Sequence, residues 1–244
     1  MKADDLLRAG DLSGAIQSLV SEVRDHPTDA RRRTFLFELL CFAGDYSRAN
    51  KHLSVLAQGG PDAETGALLY RSALAAENKR QAFFDSRAWA GANSAPSSAL
   101  SGVINGRPFT SIEDADPRIG ARLEIFVAGE YIWLPFEHIG ALRMEPPRLL
   151  RDLIWPSARI TTGPSFKGQE FGEVIAPALY PFSWKHPSDD VKLGRTTEVL
   201  PGGDPDLEVP AGQKLLLIDG QDAIPFLEIR ELTFSPAAGG GVAS

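Results

Sequence analysis

A single cysteine, Cys41, stands in 244 residues. One thiol cannot close an intramolecular disulfide, so the fold must be held by its core, and the chain fits a reducing compartment. Long apolar runs are missing as well: no stretch of 18 apolar residues occurs, and Met1 is followed by Lys2, Asp4 and Asp5 where an apolar leader would begin. The expectation is a cytoplasmic chain without membrane insertion. Positive charge is short: 25 Lys and Arg face 32 Asp and Glu, a net charge of −7. Residues 1–90 carry 12 of each sign, whereas residues 91–244 carry 13 basic and 20 acidic side chains. That balance offers no footprint for a phosphate backbone and no polybasic surface for anionic lipid, which sets nucleic acid aside as a partner. Arg31-Arg32-Arg33 reads as a solvated helix face.

Catalytic signatures are also missing. There is no G-x-S-x-G elbow, P-loop, H-E-x-x-H or dinucleotide fingerprint, the arrangements that supply a nucleophile, a phosphate cradle or a metal cage. The histidines His26, His52, His138 and His186 fall in separate segments. His138, beside Glu137 and upstream of Asp152, is the one with ligand or general-base chemistry at hand; the alternative is a satisfied histidine at a strand end. No cofactor or metal is implied.

What the chain has is an ordinary globular composition, 43% hydrophobic and 23% charged, at a length that suits two domains. Gly10-Asp11, Ala15, Leu19 and Pro27 recur as Gly44-Asp45, Ala49, Leu53 and Pro61, each 34 residues on, the tetratricopeptide period. Leu12, Ala15, Ile16, Leu19, Val20 and Val23 form an i, i+3, i+4 stripe; Ser13 and Thr28 are in place to cap helices. The spacing predicts about five or six helices over residues 1–90, ending in a degenerate third unit with helices over 62–77 and 80–90. Such units leave a hydrophobic face unfinished until a neighbour stacks on it, and their first helices line a concave surface. By the repeat's register Arg31, Thr34, Glu38, Cys41 and Phe42, then Leu68, Ser72 and Ala75, face that groove, which could cradle a partner helix. For Cys41 and Phe42 the alternative is the core.

Residues 91–115 turn to Ala, Ser, Gly and Asn and read as a linker, with Phe109 and Ile112 able to pin its end onto a sheet. Two apolar runs follow, Leu123 to Ala128 and Tyr131 to Phe136, split at Gly129-Glu130. That is a hairpin, apolar at both parities and therefore covered on both faces. Pro146-Pro147 halts it, Arg148 to Ile154 reads as a short helix, and strands are expected at 158–162 and 173–179. Lys214 to Ile218 and Phe226 to Phe234 form a second hairpin, with a bulge near Arg230-Glu231 to reconcile its parity. Residues 236–244 are expected to be disordered.

The blocks DPRIG, GEYIWLPFEHI and PPRLLRDLIWPSARI, in this order between Asp116 and Ile160, followed by DDVKLGRTTEV and GQKLLLI, resemble the ImpE/TagJ family of type VI secretion accessory proteins. The resemblance spans residues 116–234; it departs at Val199, where members tend to have Trp. It implies an accessory role beside two partners, the contractile-sheath subunit TssB and the sheath-disassembling AAA+ ATPase ClpV. Trp155 and Trp184 are candidate anchors of a partner interface. Asp152 and Arg195 are candidates for a structural pair that fixes orientation within the second domain.

The reading is an α+β protein: a tetratricopeptide-like α-solenoid over residues 1–90, a linker over 91–115 and an antiparallel β-rich domain with a short helix over 116–235. Its function is that of a non-enzymatic adaptor that binds a segment of the sheath subunit. The competing readings are an enzyme with a site around Glu137, His138 and Asp152, and a repeat scaffold unrelated to secretion.

Overall fold

The structure, a computed structural model, describes residues 2–91, 100–168, 170–204 and 207–235. The expected tail and most of the first part of the linker lie outside them. Five helices come first: α1 (Ala3–Arg8), α2 (Leu12–Asp25), α3 (Ala30–Phe42), α4 (Tyr46–Leu56) and α5 (Pro61–Asp85), each packed on the one before. The recurring Gly-Asp pair has a local cause. Gly10 (φ 84°) and Gly44 (φ 69°) take the left-handed conformation between helices, which costs glycine nothing. Asp11 and Asp45 then cap α2 and α4, accepting from Gly14 N at 2.7 Å and Arg48 N at 3.1 Å. Asp29 caps α3 in the same way, at 3.0 Å from Arg32 N. The caps are thus carboxylates and not Ser13 and Thr28; a carboxylate adds negative charge where the helix dipole favours it.

Leu12, Ala15, Leu19, Leu36, Leu39, Leu40, Ala49 and Leu53 are all buried in one apolar cluster, while Val20, placed on the stripe by its spacing, is 40% exposed. The third unit differs from the two expected helices. α5 runs unbroken for 25 residues, because Glu77, Arg80 and Phe84 carry a buried face straight past Asn78.

The β part starts earlier than expected. β1 (Gly102–Ile104), β2 (Arg107–Phe109) and β3 (Ile112–Asp114) lie within the stretch read as linker, with Phe109 and Ile112 buried. The predicted hairpin is β4 (Arg122–Val127) with β5 (Glu130–Pro135), joined by Ala128 and Gly129, both at positive φ. Such a two-residue turn matches the twist of the strands it joins. β6 (Ile139–Met144), β7 (Ser157–Thr162), β8 (Gly172–Ile175), the short α6 (Asp189–Lys192), β9 (Thr197–Pro201), β10 (Glu208–Gly212), β11 (Leu215–Ile218), β12 (Asp222–Pro225) and β13 (Glu231–Phe234) complete the chain. All pairings are antiparallel: an eight-stranded sheet in the order β2-β1-β13-β6-β7-β8-β4-β5, a three-stranded sheet β12-β11-β3 and a ribbon of β9 and β10. The second hairpin pairs β11 with β12, and a 3₁₀ turn at Phe226–Glu228 sends the chain on to β13 in the larger sheet. That turn, and no bulge at Arg230-Glu231, changes the parity. β8 stops at Ile175, two residues before Pro177, short of the expected Leu179.

The β4–β5 hairpin is the wall shared by two cores. Leu123, Ile125 and Leu134 face a core between the sheets, whereas Phe126 and Tyr131 join the helical cluster. A second junction runs along the helix turns. Asp189 Oδ2 accepts from Leu12 N at 2.9 Å, Arg195 Nη2 donates to Leu7 O at 2.6 Å, and the Trp184 ring lies against Gly44. A Cβ at Gly44 would overlap that ring, so the glycine is required there both by its φ and by this contact.

Candidate functional site

The segment 148–155 is pushed into the helical face. Asp152 Oδ2 accepts from the amides of Arg148 and Leu149, each at 2.9 Å, closing a 3₁₀ turn at Leu150–Leu153 where a short helix was expected. The turn presents Arg151, whose Nη1 meets Glu38 Oε1 at 3.2 Å and whose guanidinium lies 5.2 Å from the centre of the Tyr70 ring. Trp155 follows, buried, with Nε1 3.5 Å from Glu77 Oε2. Ile154 and Trp155 belong to the helical core and not to the core between the sheets. Burial pushes the Glu38 carboxyl up in pKa, against the pull of Arg151.

This wedge leaves a groove on either side. The first, of about 940 Å³, is formed by α1, α2 and α3 with Leu149 and Arg151 on its far bank. The second, of about 540 Å³, lies between α5 and the strands, over Tyr70, Ala73, Phe126, Trp155 and Ile175. The sequence-derived residues divide among these places. Arg31, Thr34 and Glu38 line the first groove; Ser72 and Trp155 line the second, and Leu68 stands in α5 at 63% exposure. Cys41 and Phe42 do not reach either one. They are core residues, 3% and 1% exposed, because α3 turns its last two turns entirely inward, and burial pushes the Cys41 thiol well up. Ala75 is exposed beside the hairpin turn at Gly129. Trp184 is taken up by the intramolecular contact with Gly44.

Asp152 and Arg195 do not pair. Asp152 is committed to its own turn, and Arg195 reaches the α1 carbonyls and Asp190 Oδ1 at 3.2 Å. The pairing that does fix the domains uses other residues. Arg80 holds Glu124 by two bonds of 2.8 Å, reaches Glu77 at 3.2 Å and donates to Leu179 O at 2.9 Å. Lys214 continues the row, bonded to Glu124 and to Asp114 at 3.0 Å. Tyr131 Oη donates to Glu124 at 2.6 Å. All five charged side chains are at most 3% exposed. Burial acts to raise the Glu124 carboxyl, yet Arg80 and Lys214 outweigh it and hold the group far below its usual range. Asp114, at the end of the row and near Asp116, is pushed up to about 6 by burial. A signal for this row was present: Glu124 and Lys214 are charges each followed directly by an apolar run, Ile125 to Val127 and Leu215 to Ile218, and a buried charge needs a partner.

His138 and Asp152 have separate partners. His138 Nδ1 lies 3.0 Å from Ser165 Oγ, and that hydroxyl donates to Glu137 O at 2.5 Å. A hydroxyl whose proton is committed to a carbonyl leaves the imidazole as donor, the reverse of a base-activated nucleophile. Among the described residues no cluster of three His, Cys, Asp or Glu could hold a metal, and no helix is long and apolar enough to cross a membrane.

Helices packed on antiparallel sheets across a buried ionic row, with a groove on either side of a wedge, define an α+β protein. The chain belongs to the ImpE family, whose model matches residues 106–233. It is 32% identical over 272 aligned residues to the type VI secretion system accessory component TagJ of Pseudomonas aeruginosa, with 97% of this chain and 92% of that protein covered. A crystal structure of protein VPA1032 from Vibrio parahaemolyticus has the same fold, at a TM-score of 0.83 and 23% identity over 97% of this chain and 98% of that one.

Proposed function

We propose that this protein is a non-enzymatic adaptor of the type VI secretion system, working in the cytoplasm. It takes up a segment of the contractile-sheath subunit TssB and links it to the sheath-disassembling AAA+ ATPase ClpV. The observation that carries the reading is the relation over 97% of the chain to a protein named as an accessory component of that system. The 34-residue period and the row of paired helices support a tetratricopeptide-like solenoid, and Arg31, Thr34, Glu38, Leu68 and Ser72 stand at or beside the grooves that such a domain would use.

The test is reconstitution with the full chain as bait and purified sheath subunit and ATPase offered separately and together. The expected result is a stoichiometric complex with the sheath subunit, and a ternary complex when the ATPase is added. Absence of any complex at tens of micromolar would remove the reading.

A further inference from the structure

Between the ionic row and the contact of Trp184 with Gly44 lies a cavity of about 20 Å³. Residues from the end of α3, the start of α4, α5 and the segment 177–184 line it. Glu77 and Arg80 bring the row to its wall from α5, and Trp184 reaches it from the β domain. That is room for one water-sized molecule and nothing larger.

Two side-chain atoms at this cavity stand out in an otherwise satisfied interior. Trp184 Nε1 and Gln81 Oε1 are buried, and among the described residues they are the only buried side-chain nitrogen or oxygen atoms without a hydrogen-bond partner. Both residues line this one cavity. Left so, each atom carries the desolvation cost of a lost hydrogen bond. The two are chemically opposite, since an indole nitrogen only donates and an amide oxygen only accepts. The Gln81 amide is not free to turn over, because its Nε2 donates to Glu77 Oε1. Trp184 is held as well, with its ring against Gly44 and its centre 5.2 Å from Lys185 Nζ.

This combination selects the ligand. A cation would face the positive end of the indole N–H, and an anion would face the Gln81 oxygen and the Glu77 carboxylate. An apolar atom would leave both polar groups unpaired. The site calls for one heavy atom that accepts and donates at once, and water does both.

We infer that this cavity is a binding site for one water molecule, which accepts from Trp184 Nε1 and donates to Gln81 Oε1, with Glu77 as acceptor for its second hydrogen. The water joins the ionic row on α5 to the Trp184 contact at the turn between α3 and α4. The two junctions of helices and β domain thereby form one hydrogen-bonded network. The site does not depend on the adaptor reading.

The test is a high-resolution crystal structure of the full chain, with water cross-relaxation measured by NMR on the isotopically labelled full chain in solution. The crystal is expected to show a single water peak within hydrogen-bonding distance of both Trp184 Nε1 and Gln81 Oε1. In solution the Trp184 indole proton is expected to give a cross-peak to water, of the sign that marks a molecule held for longer than the protein takes to tumble. The cross-peak is expected to be lost in Gln81→Met and kept in Gln17→Met, a control at an exposed position of α2, with circular dichroism checking that both variants fold. It should also persist in Tyr46→Phe, because the Tyr46 hydroxyl lines the cavity and can relay exchange with solvent. A direct bond from Trp184 to Gln81, an ion in the cavity or no peak at that point would overturn the assignment, and the crystal needs no variant to show it. So would a missing cross-peak, one that survives Gln81→Met, or one that disappears in Tyr46→Phe.

Discussion

The helical core and the seam between the domains are built from opposite materials. Leu36, Leu39, Leu40, Phe42 and Leu53 stabilise the helices by removing apolar surface from water, a non-directional effect that tolerates shape-conserving exchange. The seam, at similar depth, is held by Glu77, Arg80, Glu124, Lys214 and Asp114, where each charge is acceptable only because the next one is placed correctly. The difference teaches that the seam contributes orientation more than net stability. A greasy interface could slide, whereas Arg80 makes four bonds that are satisfied at one position of α5 on β4. The row also carries one more negative than positive charge, and the excess sits at Asp114.

The comparison breaks first at Arg80. Arg80→Met leaves Glu124 and Glu77 buried with a partner lost and is expected to cost about 3–5 kcal/mol by urea denaturation. Leu39→Ala in the dry core is expected to cost about 2–5 kcal/mol through a cavity. The two separate in the second step: adding Glu124→Leu to Arg80→Met should recover part of the loss, since Lys214 and Asp114 remain as a neutral pair while Glu77 still lacks Arg80. Nothing comparable rescues Leu39→Ala. A double variant as unstable as the sum of its singles would show that the row contributes net stability.

Acid sharpens the same contrast. Asp114 ionises near 3.8 unfolded and at about 6 folded, so between these values the folded state holds the extra proton. Stability from this group therefore falls as pH rises from about 4 to about 6, by about 3 kcal/mol. Glu124, held low by Arg80 and Lys214 against its burial, works in the other sense: its stabilisation is present above its ordinary range and is lost as pH falls through the folded value. Asp114→Asn should abolish the first slope and keep the second. Urea midpoints of the two proteins between pH 4.5 and 7 are expected to diverge with rising pH in favour of the variant; parallel curves would mean that Asp114 is not the excess charge.

These features were unequally legible in the sequence. The helical repeat was readable because Gly44 and Asp45 serve local needs, a left-handed turn and a cap, which a short window encodes. The hairpin was readable because both parities of Leu123 to Phe136 are apolar, and the structure gives it two buried faces. The union of two expected helices into α5 was not, since Asn78 looks like punctuation until the β domain is known to cover Glu77 and Arg80. The short strands β1 to β3 were hidden for a related reason: three residues each, they depend on partners more than a hundred positions away, β13 for β1 and β11 for β3, with β2 added at the edge beside β1. The same distance defeated the pairing of Asp152 with Arg195. Asp152 bonds its own turn and Arg195 the end of α1, because which charge meets which depends on tertiary approach. The grooves were half legible: the register put Arg31, Thr34 and Glu38 along one groove, but it had no means of seeing that Arg148 to Trp155 would fill the middle of it and bury Glu38.

Smaller effects test the glycines on either side of the comparison. Gly44→Ala places a side chain at φ 69° and against Trp184, so it is expected to cost about 2 kcal/mol, from left-handed strain plus displacement of the ring. Gly66 is the counter-case. It lies within α5 with ordinary helical backbone, and a Cβ there would meet nothing within 4 Å. Gly66→Ala should therefore stabilise the protein by about 1 kcal/mol, seen as a higher urea midpoint with unchanged slope. It lies one turn before Leu69, on the half of α5 that the β domain leaves uncovered, and its gain should persist at every pH between 4.5 and 7, because no charge of the seam is near it. A gain that vanished in the Arg80→Met background would mean that α5 is ordered only when the seam is closed, and that the two regions, so different in material, fold as one unit.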